Sequence, residues 1–375
     1  MRVLYVIDSL AAGGAETSLA ALAPHLVAGG IDLEVAYFIE RPGVHDRLLA
    51  AGAQLTHLGN GGGRRGRIAR VRDKVASDRP DLVHTTLFEA DVAGRIGARL
   101  ARTPVVTSLV NDSYGPKHGS GQDLGIRLHL AHGVDALTAR LARRFHANSE
   151  LVASVMSRRL AISRHRIDVV HRGRDADALG TRTPERRASG RHALGMGDEP
   201  IVLAIGRHEP QKGFDILIAA VPALRAAIPD VRVIVAGREG THTDELKRLI
   251  RTHRVDDVVT LLGHRGDVAE LLAAADVLAF PSRREGLPGT LIEALALECP
   301  VVATDLPNVR EVMGDCAAAL VAVDDARGLA DTLIRALREP ERLRVLATHG
   351  RTRFLEMFTI EQSAAGMLAF YERSR

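Results

Sequence analysis

Short runs of consecutive apolar residues alternate along the chain with longer stretches in which apolar residues recur every three or four positions. Such runs are typical of parallel strands buried on both faces, and the stretches between them predict helices. The first half predicts strands at Arg2–Ile7, Asp32–Phe38, Leu82–Thr86 and Val105–Leu109, with helices at Glu16–Ala28, Val44–Ala51 and Asp91–Ala101. This alternation indicates an α/β fold built on a parallel sheet.

A polar stretch rich in Arg, Gly and Pro interrupts the pattern at residues 172–198, and the alternation then restarts. The second half predicts a helix at Phe214–Ala227 and strands at Ile201–Ile205, Val231–Ala236, Val258–Leu262, Val277–Phe280 and Val301–Thr304. We therefore predict two doubly wound domains facing a cleft, at residues 1–178 and 199–358, with a linker at residues 179–198.

The composition of the 375 residues is typical of a soluble globular protein, with 46% hydrophobic and 26% charged residues. The apolar run Val3–Ile7 is shorter than the core of a secretory signal, and no run reaches the length of a membrane span. We expect a cytoplasmic protein. Aromatic residues make up only 3%, so we expect a bound sugar to be held mostly by hydrogen bonds.

The net charge of +4 comes from an excess of basic residues in the N-terminal half, which is sharpest between Arg64 and Lys74. Two interpretations stay open: peripheral binding to an anionic inner membrane surface, or a solvated arginine-rich surface. Nucleic acid is not expected as a partner, because no aromatic residues alternate with these arginines.

Two loops that follow predicted strands carry candidate chemistry. Gly206 and Arg207 come directly after the strand Ile201–Ile205, and Lys212 precedes the next helix, so this loop suits an anion such as a diphosphate. After the strand Val277–Phe280, a Gly- and Pro-rich loop carries Glu285, and Glu293 lies in the first turn of the following helix. Backbone N–H groups at that helix start could bind phosphate oxygens, and the carboxylates could accept hydrogen bonds from sugar hydroxyls.

Gly13–Gly14–Ala15–Glu16, the Gly206–Arg207 and Lys212–Gly213 pairs, and Glu285 separated by seven residues from Glu293 together resemble glycosyltransferase family 4. The resemblance covers nearly the whole chain and is densest over residues 201–314. It implies the GT-B fold, in which two Rossmann-like domains face a cleft, a nucleotide-diphospho-sugar donor (UDP- or GDP-sugar), and transfer that retains the anomeric configuration without a metal. It also implies that residues 359–375, with a helix at Ile360–Tyr371, cross back to the N-terminal domain.

The resemblance further assigns roles to individual residues. Arg207 and Lys212 would neutralise the donor diphosphate, with Gly206 in the same turn, and Glu285 would contact the hydroxyls of the donor sugar. Glu293 would bind the ribose. The other donor-site residues implied are Gly13 and Gly14 near the diphosphate, His264 and Arg265 near the base, and the N–H groups of Gly289, Thr290 and Leu291 at the phosphates.

The chain departs from the family pattern at two places that bear on the acceptor. Asn111–Asp112 stands where many members carry His-Asp, and Asn111 cannot act as an acid or base. Arg172 and Arg174 are extra arginines at the end of the N-terminal domain, and we hypothesise that they favour an anionic or pyrophosphate-bearing acceptor. Glu16 and His84 complete the acceptor candidates, although His84 also fits a structural role.

The sequence therefore predicts a retaining hexosyl- or N-acetylhexosaminyl-type glycosyltransferase of polysaccharide or glycolipid biosynthesis. Its acceptor would be a sugar, a glycan or a lipid-linked molecule. We expect no cofactor beyond the donor and no metal, since no histidine pairs with other ligands at zinc spacing. The alternatives are a sugar-nucleotide epimerase on the same fold and a catalytically silent regulatory partner that binds nucleotide sugar.

Overall fold

The computed structural model describes residues 1–11, 13–111, 126–316 and 319–375, which fall into two compact units. The first unit comprises Met1–Asp175 together with Phe358–Arg375, and the second comprises Ala176–Met357. No helix in the described ranges combines the length and the apolar character that crossing a membrane requires.

The first unit is built on a parallel sheet whose seven described strands are ordered β3-β2-β1-β4-β5-β6-β7. The strands are β1 (Arg2–Ser9), β2 (Asp32–Ile39), β3 (Gln54–His57), β4 (Leu82–Thr86), β5 (Val105–Leu109), β6 (Arg144–Ala147) and β7 (Ile167–Val169). Its helices begin with α1 (Gly14–Ala28), α2 (His45–Ala50), α3 (Gly63–Asp78), α4 (Phe88–Leu100), α5 (Ile126–Ala139) and α6 (Glu150–Arg159).

The second unit repeats this plan with six described parallel strands in the order β10-β9-β8-β11-β12-β13. They are β8 (Ile201–Ile205), β9 (Arg232–Ala236), β10 (Val259–Gly263), β11 (Val277–Phe280), β12 (Val301–Thr304) and β13 (Leu320–Val321). The helices are α7 (Ala176–Leu179), α8 (Pro184–Ala193), α9 (Phe214–Ala227), α10 (Thr243–His253), α11 (Val268–Ala274), α12 (Gly289–Ala296), α13 (Pro307–Met313), α14 (Ala326–Arg338) and α15 (Pro340–Met357).

The last helix, α16 (Ile360–Glu372), belongs to the first unit and packs on α1. Gly29 lies so close to Leu368 of α16 that a Cβ there would clash with the leucine side chain. Phe370 and Tyr371 are fully buried in the first unit. The chain after residue 357 is thus an integral part of the first unit's core.

The stretch assigned from the sequence to a linker, residues 179–198, contains α8 and lies within the second unit. Arginines hold this helix in place: Arg186 pairs with Glu270 at 2.7 Å, and Arg191 contacts Asp276 at 3.2 Å. Since ion pairs rather than an apolar stripe attach α8 to its neighbours, hydrophobic periodicity gave no sign of it.

Helix α3 carries the basic run, and most of that charge is engaged within the first unit. Arg64 and Arg67 both pair with Glu89, at 2.9 and 2.7 Å. Lys74 lies between Glu34 and Asp78, at 2.5 and 2.7 Å. The helix therefore presents a much smaller net charge than its sequence suggests.

Candidate active site

In the second unit, the loops that carry the candidate residues follow β8 and β11, which are neighbours in the sheet. On one side of β8, the sheet continues with β9 and then β10. On the other side, it continues with β11, β12 and β13. The strand order therefore reverses between β8 and β11. Ligands of open α/β sheets bind outside the carboxyl ends of the strands at this switch point.

The two loops are joined by a close approach at Gly213 and by two hydrogen bonds of Gln211. Gly213 has a positive φ of 65°, and a Cβ on this residue would overlap the carbonyl oxygen of Pro281. The Arg283 N–H donates to the Gln211 carbonyl at 2.8 Å, and the Gln211 side-chain amide donates to the Arg284 carbonyl at 2.7 Å. These contacts fix the position of Lys212 relative to the loop after β11.

Lys212 and Glu285 form an ion pair across the two loops, with 2.7 Å between Nζ and Oε1. The Ser282 hydroxyl donates to the same carboxylate oxygen at 2.8 Å, which orients the acid. The lysine stem passes 3.1 Å from the position that a Cβ on Gly206 would take, so glycine leaves room for it. The side chains are 23% and 9% exposed, so both charged groups are largely buried and the lysine retains some access to solvent.

Arg283 holds together the loops that carry Lys212 and Glu285, and the sequence did not indicate this role. Its guanidinium contacts Asp215 at 2.6 Å, Asp324 at 2.6 Å and the Pro210 carbonyl at 2.6 Å. The hydrogen bonds to Asp215 raise the pKa of Arg283 above its ordinary value. The arginine thus ties the start of α9 and the loop after β8 to the loop after β11.

Arg207 lies in the same loop as Lys212 but is exposed. Its guanidinium makes no hydrogen bond or ion pair with another residue in the described ranges. The pKa of nearby Glu209 is lowered by a hydrogen bond from Thr241 and, to a smaller extent, by the charge of Arg207. Arg207 can therefore turn to an anionic ligand without breaking an internal contact.

The loop after β11 leads into α12, which begins at Gly289. The Leu291 N–H is bonded to the Pro288 carbonyl at 3.2 Å, whereas the N–H groups of Gly289 and Thr290 have no acceptor among the described residues. Of the three predicted phosphate donors, the structure leaves two available, because Leu291 closes the first turn. Glu293 is half-buried one turn further along α12.

The turn after β10 carries the two residues predicted near the base. His264 is exposed, and Arg265 forms a two-point pair with Asp267, at 2.8 Å and 2.5 Å. This hydrogen bonding lowers the pKa of Asp267. The Gly263 carbonyl accepts from the Gly237 N–H at 2.8 Å, which joins the turn to the loop after β9.

In the first unit, Gly13 precedes α1 and lies under the side chain of Glu16, whose carboxylate would clash with a Cβ at position 13. Burial raises the pKa of Glu16. Gly14 lies beside Arg172, whose Nη2 is 3.6 Å from the position that a Cβ on Gly14 would take. The structure thus brings the predicted glycine turn and one of the two extra arginines together.

His84 belongs to a buried chain of hydrogen bonds in which each proton can be placed. The His146 Nε2 contacts the Val170 carbonyl at 3.0 Å and must be its donor, and burial lowers the pKa of His146 to about 4. Neutral His146 therefore accepts from the Ser108 hydroxyl through Nδ1, at 2.7 Å. Burial also lowers the pKa of His84 well below its usual range, so His84 donates to Ser108 through Nε2 and accepts from Tyr371 through Nδ1, both at 2.7 Å.

The remaining acceptor candidates are Asn111, Asp112 and Arg174. Asn111 is exposed at the end of β5, and Asp112 lies outside the described residues. The backbone of Arg174 is bonded to Phe358 and Ile360, and its guanidinium donates to the Gly173 carbonyl at 3.2 Å. Across the described residues, no three His, Cys, Asp or Glu side chains are grouped as metal ligands.

Two family models match the chain and together extend over most of its length. The model described as Glycosyltransferase Family 4 matches residues 12–178, and the model described as Glycosyl transferases group 1 matches residues 199–339. The chain belongs to glycosyltransferase family 4. The resemblance drawn from the glycine turn, the Arg–Lys loop and the paired glutamates is thereby confirmed.

Solved structures confirm the GT-B fold of this family 4 chain. Anabaena Alr3699/HepE in complex with UDP has a TM-score of 0.87 at 22% identity, with 100% of both chains covered. WaaG, a glycosyltransferase involved in lipopolysaccharide biosynthesis, has a TM-score of 0.76 at 17% identity, covering 97% of this chain and 99% of WaaG.

Curated relatives of this family 4 chain match over parts of their length. The lipopolysaccharide core biosynthesis mannosyltransferase LpsB of Rhizobium meliloti is 30% identical over 50% of this chain and 56% of LpsB. D-inositol 3-phosphate glycosyltransferase of Mycolicibacterium smegmatis is 33% identical over 62% of this chain and 53% of that enzyme. The chain thus spans about half the length of the curated relatives it matches.

Proposed function

We propose that this family 4 protein transfers a hexosyl or N-acetylhexosaminyl group from a UDP- or GDP-sugar to a hydroxyl of an acceptor. The observation that carries the proposal is the Lys212–Glu285 pair at the switch point of the second sheet. A cation for the diphosphate and a carboxylate for the sugar hydroxyls lie there within hydrogen-bonding distance of each other. The complex of HepE with UDP-glucose supports a nucleotide-sugar donor, and the name of the mannosyltransferase LpsB supports the transfer of a hexosyl group.

In this proposal, Lys212 and Arg207 neutralise the diphosphate as it leaves. The Lys212 ammonium has three N–H donors, and Glu285 accepts from one of them, so two remain for phosphate oxygens. The N–H groups of Gly289 and Thr290 at the start of α12 add two more donors. Together they stabilise negative charge where it develops in the transition state.

The recognition of the rest of the donor is assigned to the neighbouring loops. Glu285 accepts from hydroxyls of the sugar, and Glu293 accepts from the ribose. His264 and Arg265 lie at the turn assigned to the base. Arg283 acts through Lys212 and Glu285 by holding their loops together.

We further propose front-face transfer with retention of the anomeric configuration and without a metal. The bond between the anomeric carbon and the diphosphate breaks, and the acceptor oxygen forms its bond on the same face. The proton of the acceptor hydroxyl passes to the leaving phosphate oxygen. We place this reaction in the cytoplasmic assembly of a polysaccharide or glycolipid.

A screen of nucleotide sugars by thermal shift, followed by a transfer assay, tests the proposal. We expect one donor to raise the melting temperature of the wild type and to be consumed with a membrane extract as the acceptor source. EDTA should leave transfer intact, and the anomeric coupling of the product should match that of the donor. Glu285→Ala and Arg207→Ala should lose transfer. If no nucleotide sugar shifts the melting temperature, the assignment of the donor site is wrong.

A further inference from the structure

The loop after β11 is also held on a second side, by the next strand and helix of the second unit. Thr304, the last residue of β12, donates its hydroxyl to the Ser282 carbonyl at 2.5 Å. Asn308, in the first turn of α13, donates its side-chain amide to the Gly286 carbonyl at 2.8 Å. Thr304 and Asn308 are each only 1% exposed. These two buried contacts lie on either side of Glu285 in the sequence.

Helix α13 is itself fixed at both ends, so the Asn308 amide is a preorganised donor. Pro307 begins the helix, and its ring restricts the backbone there. At the other end, the Arg353 guanidinium of α15 donates to the Glu311 and Val312 carbonyls, both at 2.8 Å. Because α13 is anchored independently of the loop, the Asn308 bond determines where the loop carbonyl lies.

Gly286 is a residue of this loop whose backbone needs such a contact. A glycine has no Cβ, so the peptide group that follows it can rotate at little cost. The peptide group is planar, and its carbonyl and N–H point in opposite directions. Since the Gly286 carbonyl is bonded to Asn308, the Leu287 N–H points away from α13. That N–H has no acceptor among the described residues, although Leu287 is only 4% exposed.

The Asn308 bond complements the contacts that hold the Glu285 side chain. Glu285 Oε1 accepts from Lys212 Nζ at 2.7 Å and from the Ser282 hydroxyl at 2.8 Å, so the end of the side chain is fixed. The Asn308 bond holds the main chain one residue further on. Without it, the peptide after Gly286 would be free to turn, and the main chain at Glu285 would lose its support on that side.

We propose that Asn308 is a positioning residue for sugar transfer, which acts through Glu285 by fixing the peptide group between Gly286 and Leu287. This assignment deepens the proposed function and rests on it, because Glu285 is the residue assigned there to the donor sugar. Asn308 itself contacts the loop and not the ligand. Its loss should therefore impair the use of the sugar more than the binding of the nucleotide.

Hydrogen–deuterium exchange of the protein without ligand tests the positioning itself. The variants are Asn308→Ala and, as a control, Asp276→Ala, which removes hydrogen bonds at the amino end of β11 in the same unit. Mass spectrometry should show that the peptide covering residues 282–291 exchanges about fivefold faster in Asn308→Ala, which corresponds to one lost hydrogen bond. In Asp276→Ala this peptide should exchange as in the wild type. Unchanged exchange in Asn308→Ala would overturn the proposal.

A double-mutant cycle in the transfer assay tests whether Asn308 acts through Glu285. Asn308→Ala should lower kcat about tenfold and raise the Kd for UDP or GDP less than about threefold, whereas Asp276→Ala should leave both unchanged. In the Glu285→Gln background, Asn308→Ala should lower kcat less than about twofold further, because the carboxylate through which it acts is already absent.

The full tenfold loss in the Glu285→Gln background would overturn the proposal, since a general loss of structure is additive. Equal losses in nucleotide binding and in kcat would also overturn it. The wild type alone reports the proposed function, through transfer from a nucleotide sugar. Hydrogen exchange reports the contact of Asn308 with the loop without any ligand, so failure of the positioning and failure of the proposed function are distinguishable.

Discussion

Lys212 Nζ lies 2.7 Å from Glu285 Oε1, although 73 residues separate the two in the chain. One side chain follows β8 and the other follows β11, so the pair exists because these strands are adjacent in the sheet. Gly213 against Pro281 and Arg283 against Asp215 hold the two loops in this arrangement. The site therefore depends on the order of the strands in the sheet.

Glu285→Gln should separate nucleotide binding from sugar transfer. The carboxylate is assigned to the sugar and not to the nucleotide, so the Kd for UDP and GDP should change less than about threefold. Transfer from the nucleotide sugar should fall about 100-fold, because the neutral amide is a weaker acceptor for the sugar hydroxyls. Calorimetry and a transfer assay measure the two effects. Glu239→Gln, a change of an exposed carboxylate in the same unit, is the control. Unchanged transfer by Glu285→Gln would show that Glu285 does not bind the sugar.

Gly213→Ala should destabilise the second unit more than an alanine at another glycine of similar backbone conformation. Gly195 has a φ of 68° with no atom near the position of a Cβ, whereas Gly213 has a φ of 65° and faces the Pro281 carbonyl. Gly195→Ala should lower the free energy of unfolding by about 1–2 kcal/mol from left-handed strain alone. Gly213→Ala should add about 1–3 kcal/mol from the clash.

Differential scanning calorimetry of both glycine variants checks this difference. Equal melting temperatures for the two would show that the contact between the loops after β8 and β11 is not tight.

His146 should make the stability of the protein fall as the pH falls. Burial lowers the pKa of His146 from 6.5 to about 4, so between these values the unfolded chain binds a proton that the folded chain does not. This contribution is fully present above pH 6.5 and is lost as the pH falls towards 4. Buried Asp8 and Asp91 act in the opposite sense, because burial raises their pKa values to about 6 and about 7.

The effect of His146 is isolated by comparing the wild type with His146→Gln, in which the two aspartates are unchanged. Between pH 6 and pH 4.5, the free energy of unfolding should fall more steeply in the wild type, by up to about 1.4 kcal/mol per pH unit. Urea titrations at several pH values measure the two slopes. Parallel slopes would mean that His146 is protonated as easily in the folded protein as in the unfolded chain.

The arginine-rich helix α3 should bind anionic lipid weakly. Its six basic side chains between Arg64 and Lys74 are matched by four acidic neighbours, namely Asp73, Asp78, Glu34 and Glu89. At about 1 kcal/mol for each net basic charge, the remaining excess of two does not hold a protein on a membrane. We expect no sedimentation with phosphatidylserine vesicles at physiological ionic strength, and increased sedimentation of Glu89→Gln. Strong sedimentation of the wild type would support the peripheral interpretation instead.

Some buried strands were predictable to the residue because they are continuous apolar runs. Ile201–Ile205 and Val277–Phe280 appear in the structure with the predicted bounds, whereas β1, β2, β9 and β10 differ from their predicted bounds by one or two residues at an end. By contrast, β6 has the sequence RFHA and contains no apolar run from which its bounds could be predicted, because Arg144 pairs with Asp168 and His146 bonds to the Val170 carbonyl. Helix α3 was missed because Val71 and Val75 are its only buried residues.

The candidate site was predictable where local motifs carry it and not where distant partners do. The glycine turns, Lys212 and Glu285 stand out in the sequence because each follows a strand. Arg283 does not, because its partner Asp215 is 68 residues away and the contact depends on the sheet order.

Calorimetric titration of UDP and GDP into the wild type, Lys212→Ala and Lys247→Ala tests the donor site most directly. Lys247 is an exposed lysine of the same unit that pairs with Glu239 at 3.0 Å, so its removal controls for the loss of charge. We predict that the wild type binds one of the two nucleotides, that Lys212→Ala weakens this binding about 10- to 100-fold, and that Lys247→Ala leaves it unchanged. Binding by Lys212→Ala as tight as that of the wild type would contradict the assignment of the diphosphate to this loop.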